Sequence, residues 1–121
     1  MTSDRIYVDY LEDLLDALRK SHRFVAGMGF EQFVEDDKTV FAVVRALEVV
    51  GEAAKQIPEG IRQEYAQVPW REMSRMRDKL IHHYFGIDLR VVWKTVKEEV
   101  PQLIPVIEEI VVREYKLHSM V

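Results

Sequence analysis

Met73-Ser74-Arg75-Met76-Arg77-Asp78-Lys79-Leu80-Ile81-His82-His83-Tyr84 is the stretch on which the reading of this chain turns. From Arg77 onward it has no Gly, no Pro and good helix formers at its start, so it reads as the last turns of a helix. Wound at about 100° per residue, Met73, Met76, Leu80, Ile81 and Tyr84 fall on one arc, with Arg77 in its middle. A guanidinium cannot shed its charge, so a place on an apolar stripe is costly unless an anion or a tightly bonded partner meets it. Two imidazoles follow, the side chains that titrate nearest neutral pH, and then a phenol. A fixed cation, a proton-transfer group and a hydroxyl this close together suit a phosphate-containing ligand. The plainer alternative is a surface arginine at a solvated helix end.

Outward from this stretch, the same periodicity recurs. Ile6, Tyr7, Tyr10, Leu11, Leu14, Leu15 and Leu18 predict an amphipathic first helix, opened at Ser3 or Asp4 and fading near Gly27 and Gly29. Phe30 to Val34 predict a short turn that tucks Phe30 and Phe33 inward. Asp36 and Asp37 cap a second long helix to about Gln56, with Val40, Val43, Val44, Leu47, Val50, Ala54 and Ile57 on its apolar arc. Its other face carries Arg45, Glu48 and Glu52, and Gly51 interrupts it at a cost of about 1 kcal/mol against Ala. That face is either solvated, with the glycine permitting close helix packing, or it lines the same cleft as Arg77.

Ile61 and Tyr65 point inward from a helical turn over 58–67, and Pro69-Trp70 opens the helix of the opening stretch, which ends near Phe85-Gly86. Asp88 caps a further helix through about Glu99, with Leu89, Val92, Trp93 and Val96 inward. Pro101 and Pro105 are expected to break or restart it, with an apolar face continuing through Ile104, Ile107, Ile110 and Val111 to about Tyr115 and a fraying tail over 116–121. Strand-like alternation is absent from the sequence, so the prediction is an all-α, antiparallel bundle of four to five helices in one domain over 1–121.

Composition narrows the function. The 121 residues are 48% apolar and 31% charged, which suits a folded chain with one modest core. Without cysteine there are no disulfides, thiolate metal sites or thiol nucleophiles. Neither a secretory signal nor a membrane-length apolar run is visible, and a cytoplasmic protein is expected. A net charge of −4 disfavours general nucleic-acid binding, yet Arg71, Arg75, Arg77 and Lys79 form a local basic cluster.

His82 and His83 are adjacent and diverge by about 100°, which does not suit a chelating pair. The serines lack an elbow context, and no Gly-rich phosphate loop is present. Metal-free acid–base cleavage of a phosphodiester remains. A histidine takes the proton from a ribose 2′-hydroxyl or gives one to the leaving oxygen, while an arginine stabilises the charged phosphorane. On a straight helix Arg77 and His82 are about 140° apart, and His83 is nearer to Arg77 in angle. Asp78, one turn before His82, is placed to orient that ring. Either the helix ends irregularly at His82, or Arg and His converge across a two-fold dimer.

Arg77, four residues, His82, one residue and Tyr84 together resemble the R-x4-H-x-Y motif of HepT-type toxins in the HEPN superfamily. The run Val44 to Ala53 with its Gly51-Glu52-Ala53 ending, the Pro69-Trp70 helix start, Asp88 to Trp93 and Pro101-Gln102-Leu103 agree with it, so the likeness spans nearly the whole chain. Asp78 departs from the pattern, since the family often has Asn there. The carboxylate either raises the basicity of the histidine or weakens RNA binding.

The resemblance implies a HEPN-like fold and a metal-independent endoribonuclease without a cofactor, the toxin of a type VII toxin–antitoxin pair. Arg77 and His82 would be catalytic, with Asp78, Glu52 and Arg45 supporting. It also implies a homodimer with facing motifs, and a minimal nucleotidyltransferase antitoxin that transfers AMP onto Tyr84. AMP beside Arg77 would add bulk and negative charge where an RNA phosphate must sit. The competing reading is a non-catalytic helical dimer that binds nucleotide or presents a substrate to a nucleotidyltransferase.

Overall fold

The computed structural model describes residues 6–82 and 86–119, with the side chains of Ile81 and His82 outside the description. Helices α1 (Tyr7–Phe24), α2 (Phe30–Glu35), α3 (Asp37–Lys55), α4 (Glu59–Glu64) and α5 (Trp70–His82) are followed by α6 (Leu89–Lys94). A π-helical segment (Thr95–Glu99) joins α6 without interruption to α7 (Val100–Ser119). The chain is therefore an all-α bundle, as the periodicity predicts, with α1, α3, α5 and the α6–α7 rod as its long members.

The apolar arcs meet where they were expected to. Helix α3 packs between α1 and α5, and α7 packs on α1. Leu11, Leu14 and Leu18 of α1, Val43, Leu47 and Val50 of α3, and Ile107 and Ile110 of α7 are all buried in one core. Asp36 caps α3 by accepting from the Thr39 amide at 3.1 Å and the Thr39 hydroxyl at 2.8 Å. Those bonds hold its carboxyl below the usual range. The chain turns out of α1 through Gly27, whose φ of +77° lies where a side chain is strained. Phe33 is fully buried against Trp93, with ring centroids 5.2 Å apart.

Four local expectations are corrected. Helix α1 starts at Tyr7, after Ile6, with no side-chain cap bond; Ser3 and Asp4 lie outside the described residues. The residues from Phe30 make a helix rather than a bare turn, because Gln32 reaches back to the Gly29 amide at 2.9 Å. Neither Pro101 nor Pro105 breaks the last helix, and the tail does not fray at 116 but stays helical to Ser119. In the π segment the Val100 amide bonds to the Thr95 carbonyl, one residue farther back than in an α-helix. This wider turn sits immediately before Pro101, where a regular turn would press a carbonyl against the proline ring. Pro105 lies on the exposed side, where solvent can take the carbonyl that loses its donor.

One buried polar group ties the two ends of the bundle together. Glu114 on α7 is 1% exposed, and its carboxylate accepts from the Tyr7 and Tyr65 hydroxyls, each at 2.5 Å and each on a different oxygen. Both carboxyl oxygens thus have a partner, which makes burying the group tolerable.

Burial and the Glu114 bond push the Tyr7 phenol up to about 12, and the same causes raise Tyr65. A raised phenol stabilises the fold fully below its unfolded value near 10, and that contribution drains as pH rises through the folded value. Urea midpoints are accordingly expected to hold up to about pH 10 and to fall steeply toward pH 12. Tyr7→Phe should cost about 1–3 kcal/mol at neutral pH by stranding one buried carboxylate oxygen, and should flatten the alkaline decline. An unchanged alkaline slope in that variant would remove Tyr7 from the account.

Candidate functional site

The site is built on the contact between α3 and α5. A methyl group placed on Gly51 of α3 would stand 2.1 Å from the Arg77 Cβ and 2.8 Å from the Met73 carbonyl oxygen of α5. Only a residue without a side chain lets the two backbones approach so closely. The approach is fixed from below by Met73 and Leu80, which are buried in the core on either side of Arg77 along α5. Arg77 therefore leaves its helix against the glycine, with its side chain 30% exposed.

The guanidinium has one anionic partner among the described residues. Its terminal nitrogen donates to Asp78 Oδ1 at 3.2 Å, while its Nε is buried with no hydrogen-bond partner. The same Asp78 oxygen accepts from Lys55 Nζ at 2.6 Å, a bond that crosses from the last residue of α3 to α5. The Lys55 ammonium first, and Arg77 after it, hold the Asp78 carboxyl below its usual range. Asp78 is thus ionised at neutral pH and shared by two cations. The expected pairing of Asp78 with the His82 ring falls on a side chain outside the description, as does everything about His83 and Tyr84. The backbone of α5 does reach His82 as regular helix, one turn beyond Asp78.

Arg45, Glu48 and Glu52 form a separate cluster. Arg45 donates to Glu48 at 3.3 Å and to Glu52 at 3.2 Å, and both carboxylates raise its pKa, Glu48 first. This relieves the like-charge pair one turn apart that the sequence presents. Glu52 also lines a groove of about 320 Å³ between α1 and α3, with Tyr10, Asp13 and Gln56. The structure thus brings Arg77 and Asp78 together and sets Arg45 and Glu52 apart from them in their own cluster, and the α3 residue whose side chain bonds to Asp78 is Lys55.

Lys55 is what the sequence reading missed. A lysine in the last turn of a helix reads as a favourable match to the helix dipole and nothing more. The same holds for Arg62, which donates to the carbonyls of Ala54, Lys55 and Ile57 at 3.1, 3.0 and 2.9 Å and closes the end of α3. Among the described residues, Arg71, Arg75 and Lys79 stay exposed along α5, so the basic cluster lies open to solvent. No group of three His, Cys, Asp or Glu is placed to hold a metal among the described residues. A roughly 450 Å³ groove floored by Leu18, Met73, Met76, Leu103 and Val106 and rimmed by Glu72 and Glu99 does not include Arg77. Among the described residues, no helix is long and apolar enough to cross a membrane.

Such a site offers directional donors and a fixed positive charge to an anion, on a helix that delivers an imidazole one turn farther on. Known proteins with related sequences carry ribonuclease descriptions. A protein of Thermococcus cleftensis described as "Probable ribonuclease HepT" is 54% identical over 82% of this chain and 90% of its own length. A Methanocaldococcus jannaschii protein described as a "Putative RNase" is 48% identical over 84% of each chain. Another so described, from Caldanaerobacter subterraneus, is 43% identical over 87% of this chain and 94% of its own. No solved structure matches the chain. The family description "Ribonuclease HepT-like" matches residues 14–110, which takes in α3, Gly51 and the whole of α5. The chain belongs to the HepT-like ribonuclease family.

Proposed function

We propose that the protein is an endoribonuclease that cleaves RNA by acid–base chemistry without a metal ion, with Arg77 and His82 as its catalytic residues. The observation that carries this reading is Arg77, seated over Gly51 and partly exposed, on the helix whose backbone reaches His82 one turn past Asp78. Family membership supplies the reaction class, and the site supplies a cation fit for the charge it develops. In the reaction the ribose 2′-oxygen attacks the adjacent phosphorus and the bond to the 5′-oxygen breaks, leaving a 2′,3′-cyclic phosphate. An imidazole takes the 2′-proton and an imidazolium protonates the departing 5′-oxygen, so two histidines divide the work. A homodimer with facing motifs would supply one from each copy, and Arg77 would hold the phosphorane oxygens.

In this reading Arg45 and Glu52 keep the neighbouring face of α3 rigid, and Asp78 regulates the charge around Arg77. The protein would act as a toxin, with a minimal nucleotidyltransferase as its antitoxin. AMP transfer to Tyr84 would silence it by placing a phosphate where RNA must bind.

Arg77→Ala and His82→Ala are each expected to lower RNA cleavage by about 10²-fold or more with helicity unchanged. His83→Ala should lower it far less, and EDTA should leave the parent rate intact. Cleavage retained in His82→Ala, or abolished by EDTA, would refute this mechanism. RNA binding without any cleavage would favour the non-catalytic nucleotide-binding module. For the regulatory half, Tyr84→Phe should still cut RNA yet gain no AMP-sized mass from the nucleotidyltransferase and escape its inhibition. An AMP adduct on that variant would move the acceptor elsewhere.

A further inference from the structure

Resting on that nuclease reading, we infer that Lys55 is a second phosphate-binding cation of the site and that Asp78 is a built-in anion that occupies Lys55 and Arg77 until RNA displaces it. Lys55 and Arg77 bond the same oxygen of Asp78, at 2.6 and 3.2 Å. Their nitrogens therefore lie no farther apart than those two bonds laid end to end. The oxygens of one phosphate bridge such a span with hydrogen bonds of ordinary length, so the two cations form a ready cradle for a phosphodiester.

Among the described residues, the Lys55 side chain makes no other hydrogen bond. The carbonyls that close α3 are taken by Arg62, so the ammonium is not needed to cap the helix. The pair it makes is also easily exchanged. The side chains of Lys55 and Asp78 are 37% and 46% exposed, and ion pairs in that setting are weak and screened by salt.

Arg77 carries a matching sign. While one terminal nitrogen is engaged by Asp78, its Nε is buried without an acceptor, so one of its five donors is wasted. A phosphate can be gripped through two parallel donors, which a monodentate bond to Asp78 does not use. Exchange of Asp78 for phosphate would thus free both cations. The carboxylate cancels one of the two positive charges of the site until a polyanion competes for it.

The test measures affinity for a fluorescent single-stranded RNA with 2′-O-methyl groups throughout, which cannot be cleaved, over a range of salt concentrations. Asp78→Asn is expected to bind about fivefold tighter than the parent. Lys55→Gln should bind more weakly and reduce the slope of log affinity against log salt by about 0.7, the loss of one single-strand phosphate contact. Lys55→Arg should restore both. Circular dichroism confirms that each variant is folded. If Asp78→Asn leaves affinity unchanged and instead lowers kcat with a shifted pH–rate profile, Asp78 serves His82 and the inference is wrong. An unchanged affinity and salt slope in Lys55→Gln overturns it as well. No binding by the parent overturns the nuclease reading itself, and this inference with it, which separates the two failures.

Discussion

One missing side chain sets the geometry of this protein. Gly51 lets α3 and α5 touch backbone to backbone, and the space it vacates is filled by the stem of Arg77. Alanine is the better helix former by about 1 kcal/mol, so glycine here costs helix stability. What it gains is direction. An arginine on the apolar side of α5 would otherwise have to bury its charge or pry the helices apart. Seated over the glycine, its side chain stays partly exposed and reaches Asp78 through a terminal nitrogen, while Nε is buried.

The charges then sort themselves by element. On α3, Arg45 bridges Glu48 and Glu52 and offsets one of their two charges. At the end of the same helix Lys55 crosses to Asp78, and Arg77 meets it there. The net charge of −4 is thus a poor guide to the surface around α5, where Arg71, Arg75 and Lys79 are exposed. Deep in the bundle, Glu114 accepts from the Tyr7 and Tyr65 hydroxyls, and in doing so it clamps the first helix to the last.

Much of this was legible in sequence because it repeats with the helical period. The arcs of α1 and α3 predict the core almost residue by residue, and Arg77 announces itself as a cation among Met73, Met76 and Leu80. The contact beneath it was harder to see. Gly51 in a helix signals close packing without saying against what, and only the folded bundle pairs it with Arg77. Lys55 and Arg62 sit at a helix end where basic residues are ordinary, so no local pattern marks their roles. Glu114 did leave a trace, a lone acid following the apolar Ile110 and Val111 on the inward face. The π turn left none: Pro101 and Pro105 carry the usual meaning of helix breakers, and the widened turn before Pro101 reverses it.

The account rests on the close approach at Gly51, and a single substitution addresses it. In Gly51→Ala the new methyl must displace backbone and Cβ atoms of α5 rather than the tip of a flexible chain. Crowding of that kind costs about 1–3 kcal/mol and outweighs the gain in helix propensity. The decisive measurement is the single-turnover RNA cleavage rate of this variant, taken well below its melting temperature with its helicity verified. A fall of about tenfold or more is expected, because Arg77 shifts while every catalytic side chain remains. A folded Gly51→Ala protein that cuts RNA at the parent rate would contradict the claim that this helix contact builds the site.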